Sequence, residues 1–216
     1  MKNKTFLLLL FLSITLWSRA DSIPSLKISL VPQYLAVNGF RMDFDIKADN
    51  KGLEWLVLSP RLYLVEKEQQ ENIGFQDYIL TEMKGAGLDL SYRKFLGINK
   101  QENLDYFIGF TLGYTYYRPV YYRYVWTDIL VNEMPMTTYM PGNDARDIYQ
   151  PRAEFIMGFE YQAKNGLFFD IYGGGGIKQS FFDKQKGDPW RLYSYYWSYG
   201  YSGTYLALAF RMGFSF

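Results

Sequence analysis

The 216-residue chain contains no histidine and no cysteine. Without histidine it lacks the general base of Ser-His-Asp and Cys-His triads, and the usual side chains of zinc sites are missing as well. Without cysteine it has no disulfide, no thiolate nucleophile and no anchor cysteine. A Ser-Lys or carboxylate-only site stays open, although no spacing indicates one. We therefore expect no enzymatic activity, no metal and no cofactor.

The chain also has little net charge, with 23 basic and 22 acidic residues. This balance gives no basic footprint for a nucleic acid, and we expect no nucleic-acid partner. Beyond Ala20 no apolar run is long enough for a transmembrane helix. The glycines at 173–176, followed by Ile177 and Lys178, lack the GxxxxGK[ST] spacing of a phosphate-binding loop.

The first twenty residues have the three-part pattern of a secretory signal peptide. Lys2 and Lys4 are basic, and the apolar stretch 6–17 is too short to span a membrane. Ser18 and Ala20 are small residues at positions −3 and −1 of a cleavage site. The pattern predicts a signal peptide at residues 1–20 and one mature domain at 21–216; an uncleaved anchor helix is the alternative.

Aromatic residues and glycine are abundant, with 21 Tyr, 17 Phe and 19 Gly. The last stretch, 203–216, alternates strictly: Phe210 and Phe214 belong to a large apolar face, whereas Arg211 belongs to a face of small residues. Such period-2 alternation is typical of a β-strand with different surroundings on its two faces. Similar segments recur through the chain, at 25–35, 39–48, 53–65, 85–95, 104–117, 149–163, 167–180 and 203–216.

Connections after the second, fourth and sixth strands are short, and those after the third, fifth and seventh are long. The sequence therefore predicts an all-β fold, an eight-stranded antiparallel up-and-down transmembrane β-barrel. Tyr34 and Tyr116 are expected near the outer membrane interface. The expected residues at the inner interface are Tyr92, Tyr106, Tyr161 and Phe216.

The polar face of the strands holds nearly balanced charges, which suit a narrow interior filled by paired side chains. The apolar face suits lipid, although a soluble barrel with its apolar face inside is the alternative. The expected interior ion-pair cluster consists of Arg41, Asp43, Asp45, Arg61, Asp89, Arg93, Glu154, Asp170 and Arg211.

Four segments, 58–64, 87–95, 106–116 and 168–180, resemble the strands of small outer-membrane barrels of Gram-negative bacteria, broadly of the OmpA/OmpX type. The resemblance implies a location in the cell outer membrane, with outer-membrane lipid as a partner. It also implies that the barrel-assembly machinery reads the terminal Phe216. We expect a monomer.

The long loops 118–148 and 181–202 are rich in Tyr and Trp, which suit the binding of glycans or proteins. The candidate contacts are Trp126, Trp190, Tyr195, Tyr196 and Trp197. The leading hypothesis is a non-enzymatic barrel with a structural or surface-interaction role through these loops. A narrow ion or small-solute channel is the alternative, and simple packing of the aromatic side chains on each other is the plainest explanation of the loops.

Overall fold

A computed structural model describes residues 24–65, 69–73, 76–97, 103–131, 133–182 and 199–216. The expected signal peptide lies outside these residues. The described strands are β1 (Leu26–Leu30), β2 (Gly39–Lys47), β3 (Glu54–Val65), β4 (Gln69–Ile73), β5 (Gln76–Phe95), β6 (Leu104–Val131), β7 (Met134–Ala145), β8 (Ile148–Gln162), β9 (Leu167–Lys178), β10 (Phe181–Phe182) and β11 (Gly203–Ser215). A one-turn helix, α1 (Gln33–Ala36), follows β1.

Eight of these strands close into an antiparallel barrel in the order β1-β2-β3-β5-β6-β8-β9-β11. The ring closes where β1 pairs with β11, with Ile28 opposite Phe214. Each barrel strand is the neighbour of the barrel strands before and after it in the chain, so the expected eight-stranded up-and-down arrangement is confirmed. The remaining strands extend the wall beyond the ring: β4 pairs with β5, β7 with β6, and β10 with β8.

The two ends of the barrel differ in their connections. Turns at residues 48–53 and 163–166 lie at one end, which we call the turn end, together with the start of β1 and the end of β11. Gly166 adopts φ 83° in the Asn165-Gly166 turn, a value that favours glycine. The long connections lie at the opposite end, which we call the loop end. Among the described residues, no helix has the length and apolar character needed to cross a membrane.

The strands differ from the sequence expectation at three places. The first strand ends at Leu30 rather than residue 35, because Pro32 supplies no N–H for a strand ladder and caps α1 instead. The expected loops 66–83 and 118–148 are largely hairpins, since β5 begins at residue 76 and β6 continues to residue 131. Alternating β-prone residues therefore continue past the ring itself, and the second hairpin turns at Glu133, which adopts φ 67°.

Alternation along each barrel strand separates an inner from an outer face. On β11 Arg211 is 0% exposed inside the barrel, whereas Phe210 is 36% exposed outside it. The twelve residues of β3 alternate in the same way along most of their length. The outer face carries large apolar side chains, and the inner face carries the charged ones, as the sequence predicts.

Candidate functional site

The interior near the turn end is closed by one ion pair packed among aromatic rings. Lys27 of β1 binds Glu160 of β8, and both side chains are buried. The Lys27 ammonium lies 4.5 Å from the centroid of Trp55 and 4.9 Å from that of Phe95. Cation–π contacts of this kind gain strength when water is excluded. This layer plugs the turn end of the barrel.

Arg211 is the centre of the ionic network in the middle of the barrel. Its Nη1 lies 2.9 Å from Asp45 Oδ1 and 3.2 Å from Asp43 Oδ2, and its Nε donates to Asp170 Oδ2 at 2.7 Å. One guanidinium from β11 thus joins carboxylates of β2 and β9. A buried guanidinium is tolerated because its donors meet charged acceptors with good geometry.

Arg93 completes the same layer from the other side of the barrel. Its Nη1 donates to Asp170 Oδ2 at 2.9 Å. The guanidinium carbon lies 4.9 Å from the Phe107 centroid and 5.0 Å from the Tyr172 centroid. Its Nε and Nη2 have no hydrogen-bond partner among the described residues, so the two rings supply its remaining contacts.

A second group of charges, toward the loop end, converges on Asp89. Arg61 Nη2 donates to Asp89 Oδ1 at 2.7 Å and to Thr115 Oγ1 at 2.8 Å. Arg152 of β8 binds the same carboxylate, with Nε 3.2 Å from Asp89 Oδ1, and lies 3.2 Å from Glu154 Oε1. Arg41 bridges the two groups, since its Nε lies 2.7 Å from Asp43 Oδ1 and its Nη1 3.9 Å from Asp89 Oδ2.

Gly113 on β6 leaves the space that the Asp89–Arg152 pair fills. A Cβ built at residue 113 would lie 2.0 Å from Asp89 Oδ1 and 2.8 Å from Arg152 Nε. Any side chain there would displace the carboxylate from its partner. The glycine is therefore part of the ionic network, although it carries no charge.

Aromatic and aliphatic side chains close the interior at the loop end. Tyr63 and Tyr117 have ring centroids 5.2 Å apart, and Tyr199 continues the row 5.4 Å from Tyr117. Beneath and around these rings, the buried residues are Val65, Leu80, Met83, Tyr121 and Ile148. We call this group the aromatic lid. It separates the ionic network from the loop end.

The centre of the network consists of charged side chains that are buried against one another. Among the described residues, the fully buried charged side chains at this height (0% exposed) are Asp43, Asp89, Arg93, Asp170 and Arg211. Together with the turn-end plug and the aromatic lid, they form three successive layers of buried side chains in the part of the interior that the structure describes. The arrangement holds these charges in fixed pairs.

The nine residues expected in the interior all face inward and are buried, and ion pairs or hydrogen bonds join them. The sequence did not single out Arg152, Lys27 or Glu160 for this set. All three stand on the polar side of the alternation, but their partners lie on other strands. Only the register between strands reveals those partners.

The sequence predicted Tyr34 near the outer membrane interface, and this prediction is wrong. The structure places Tyr34 inside the barrel. Its hydroxyl lies 3.5 Å from Arg61 Nη1, and its ring centroid lies 6.0 Å from that of Tyr63. Because β1 ends at Leu30, α1 carries Tyr34 inward rather than continuing the alternation of the strand.

One of the five expected loop contacts, Trp126, lies among the described residues. It stands on the hairpin of β6 and β7 that projects past the loop end, and it is 72% exposed. Its ring centroid lies 5.1 Å from that of Tyr139, which lies 5.4 Å from that of Tyr124. Trp190, Tyr195, Tyr196 and Trp197 fall outside the described residues.

No protein-family model matches the chain, and no curated protein matches it. Among solved structures, the crystal structure of Acinetobacter baumannii CarO is similar, with a TM-score of 0.41 and 12% sequence identity. The alignment covers 92% of this chain and 100% of that chain. A likeness at this level assigns neither family nor function, so the functional argument depends on the geometry of this chain.

Proposed function

We propose that the chain is a non-enzymatic β-barrel of the cell outer membrane, closed to ion flow, which presents its β6–β7 hairpin at the cell surface for interaction. The observation that carries this proposal is the combination of an apolar outer face with a buried, ion-paired interior. A soluble barrel would have the reverse arrangement, because large exposed apolar areas are unfavourable in water.

The dimensions of the barrel support a location in a membrane. A β-strand needs about 9–11 residues to cross the hydrocarbon core, and β2, β3, β9 and β11 have 9, 12, 12 and 13 residues. Over most of its wall, the antiparallel ring also pairs its backbone groups without water, which hydrocarbon requires. Aromatic residues on the outer face flank the belt: the exposed Tyr92, Tyr106 and Tyr161 toward the turn end, and the half-buried Tyr116 with the exposed Tyr149 toward the loop end. Such girdles are typical of outer-membrane barrels.

The projecting hairpin supports a role in surface interaction. Tyr124, Trp126 and Tyr139 form one exposed aromatic face on it. Pro135 and Pro141 stand on β7, which pairs only with β6 among the described strands. Proline lacks the N–H needed for strand addition, so this edge resists pairing with a second copy. The hairpin therefore suits recognition by side chains and agrees with a monomer.

Two measurements test the barrel and its closure. Protease treatment of intact cells should cleave the exposed hairpin, and the remaining barrel should stay in the outer-membrane fraction. The folded protein in a planar bilayer should give no conductance steps at moderate voltage. Regular steps would overturn the closed interior, and recovery of the folded protein in the soluble fraction would overturn the location.

Matched variants test the interaction role. The variant Tyr124→Ala/Trp126→Ala/Tyr139→Ala removes the aromatic face, whereas Met134→Ala/Met136→Ala/Met140→Ala alters the opposite face of the same hairpin, which is also exposed. Binding of cells to immobilised glycans or matrix proteins should fall at least about tenfold in the first variant, as loss of anchor aromatics predicts. It should change little in the second. Equal binding by both variants would remove the aromatic face from the role.

A further inference from the structure

The barrel wall is broken beside β1, which has only five residues. It pairs with β11 from Ser215 to Met212 and with β2 from Ile46 to Met42. From Met212 β11 continues as far as Gly203, and on its β9 side it stays paired throughout that stretch. On its β1 side no described strand pairs with residues 203–211. One strand position is therefore missing from the half of the wall nearer the loop end.

Residues 31–38, which we call the wall segment, occupy the missing position. In the amide orientation that satisfies both groups, the Gln33 side chain donates to the Phe210 carbonyl oxygen and accepts from the Phe210 N–H, each at 2.9 Å. This amide replaces one rung of the ladder on β11. On the β2 side, the Val31 N–H donates to the Arg41 carbonyl oxygen at 3.3 Å.

The outer surface around the wall segment is strongly apolar. Leu35 and Val37 on the segment are 66% and 52% exposed, and Leu206 and Leu208 on β11 are 83% and 78% exposed. The residues opposite these two leucines on β9 are Gly175 and Gly173, which have no side chain to pack against them. The result is an open apolar surface beside the break.

Counted over the described residues, the interior behind the wall segment carries an excess of positive charge. Tyr34 faces inward there and lies 3.5 Å from Arg61 Nη1. Arg61, Arg152 and Lys178 stand against two carboxylates, Asp89 and Glu154, which leaves a balance of +1. The Lys178 ammonium lies 5.3 Å from the ring centroids of Tyr201 and Tyr205, and no carboxylate of the described residues pairs with it.

We propose that the wall segment is a lateral entrance, through which the chain of a single-chain fatty acid passes from the membrane so that its carboxylate binds Lys178, Arg152 and Arg61. The inference rests on the proposed location in the membrane. Beside residues 39–41 of β2, the missing strand leaves about 10 Å between β2 and β11, enough for one acyl chain once the wall segment shifts. The wall segment stands directly beside these cations, since the Tyr34 hydroxyl lies 3.5 Å from Arg61 Nη1.

The chemistry of the site selects this occupant. An apolar surface outside the break suits an acyl chain, and a cationic excess inside suits a carboxylate. On the β11 side, the Gln33 amide holds the wall segment. Its loss would loosen the segment, including Tyr34 beside Arg61, without removing any of the cations. Entry and binding are thus assigned to different residues, and each can be tested alone.

Binding of the fluorescent fatty acid cis-parinaric acid to the purified, folded barrel in detergent micelles tests the proposal. Lys178→Gln should weaken binding about tenfold or more, as loss of a charged hydrogen bond predicts, and Lys178→Arg should restore most of it. Lys94→Gln, at an exposed lysine near the turn end, is the matched control and should bind like the original chain. Gln33→Ala should raise the association rate.

Competition and flotation make the outcomes distinct. Dodecanoate should displace the probe, whereas dodecanol, which has the same chain length and no charge, should not. Equal displacement by both compounds, or unchanged affinity in Lys178→Gln, would overturn the proposed site. Flotation with lipid vesicles is measured on the same samples: a barrel that floats but binds no fatty acid overturns this inference alone, whereas one that does not float overturns the location as well.

Discussion

The strand β6 passes through two different environments. The contrast between them distinguishes the interactions that stabilise this protein from the surface that it exposes. Over its barrel part, inner and outer residues alternate between buried and exposed. Beyond the ring the same strand pairs with β7, whose residues are exposed on both faces along most of their length. The alternation of the sequence is similar in both parts. Inner residues of the barrel part are buried because the closed ring places side chains of other strands across the interior from them. The hairpin has no such second layer.

The two parts therefore depend on different interactions. The barrel part is tied across its interior by guanidinium–carboxylate contacts that join strands far apart in the chain, such as β2, β9 and β11. The hairpin depends on its own ladder and on cross-strand contacts such as Trp126 with Tyr139. Changes in the interior should alter the stability of the whole molecule, and changes on the hairpin should alter only what it contacts.

The largest loss of stability is expected from Arg211→Ala. It would leave three buried carboxylates without their shared partner, and breaking a buried ion pair costs about 3–5 kcal/mol. Urea unfolding from lipid vesicles, followed by tryptophan fluorescence, should show this loss, or the variant should fail to fold. Arg118→Ala, at an exposed side chain of the same type, is the control and should unfold like the original chain. Equal stability of the two variants would contradict the role of the network.

A smaller loss is expected from Gly113→Ala, because the added methyl group would displace Asp89 from Arg152. Overpacking of this kind costs about 1–3 kcal/mol. Gly175→Ala provides the matched control on an outward-facing position, where the nearest atom to an added Cβ is 3.8 Å away. The same urea measurement should give a lower free energy of unfolding for Gly113→Ala than for Gly175→Ala. The reverse order would show that the interior can rearrange around the extra group.

Trp126→Ala tests the same contrast between the barrel and the hairpin, now with a change in the hairpin. Because the side chain is largely exposed and lies beyond the ring, its removal should change the free energy of unfolding by less than about 0.5 kcal/mol. Protease cleavage of the hairpin should become faster, since the contact with Tyr139 is lost. A large drop in barrel stability would mean that the hairpin and the ring unfold as one unit.

Alternation was sufficient to predict the ring of eight strands and which face of each strand lies inside. It could not predict the partners of Arg152 or Lys27, because those depend on the register between strands that are distant in the chain. The break after β1 had a local signal in Pro32, which ends the ladder at that point. The hairpins beyond the ring had no such local signal in the sequence. The alternation of β-prone residues stays the same where a strand leaves the barrel and continues as a hairpin.

The smallest effect is expected at the turn end, where Asp49 organises the connection between β2 and β3. Its carboxylate accepts hydrogen bonds from the N–H groups of Glu54 at 3.0 Å, Leu53 at 2.9 Å and Lys51 at 3.3 Å, and these bonds lower the pKa of Asp49 below its ordinary value. A carboxyl group whose pKa is lower in the folded state adds stability above its unfolded pKa and loses it as the pH falls through the folded value.

Asp49→Ala should therefore be slightly less stable than the original chain at neutral pH, and the difference should shrink as the pH falls below the ordinary range of carboxyl groups. Paired urea titrations at pH 7 and near pH 2–3 measure it. Asp105→Ala provides a comparison at the same end, since that carboxylate also accepts hydrogen bonds from two N–H groups, those of Gly97 and Tyr106. A difference for Asp49→Ala that grows in acid would mean that its carboxylate opposes folding, and the turn would then owe its geometry to the backbone alone.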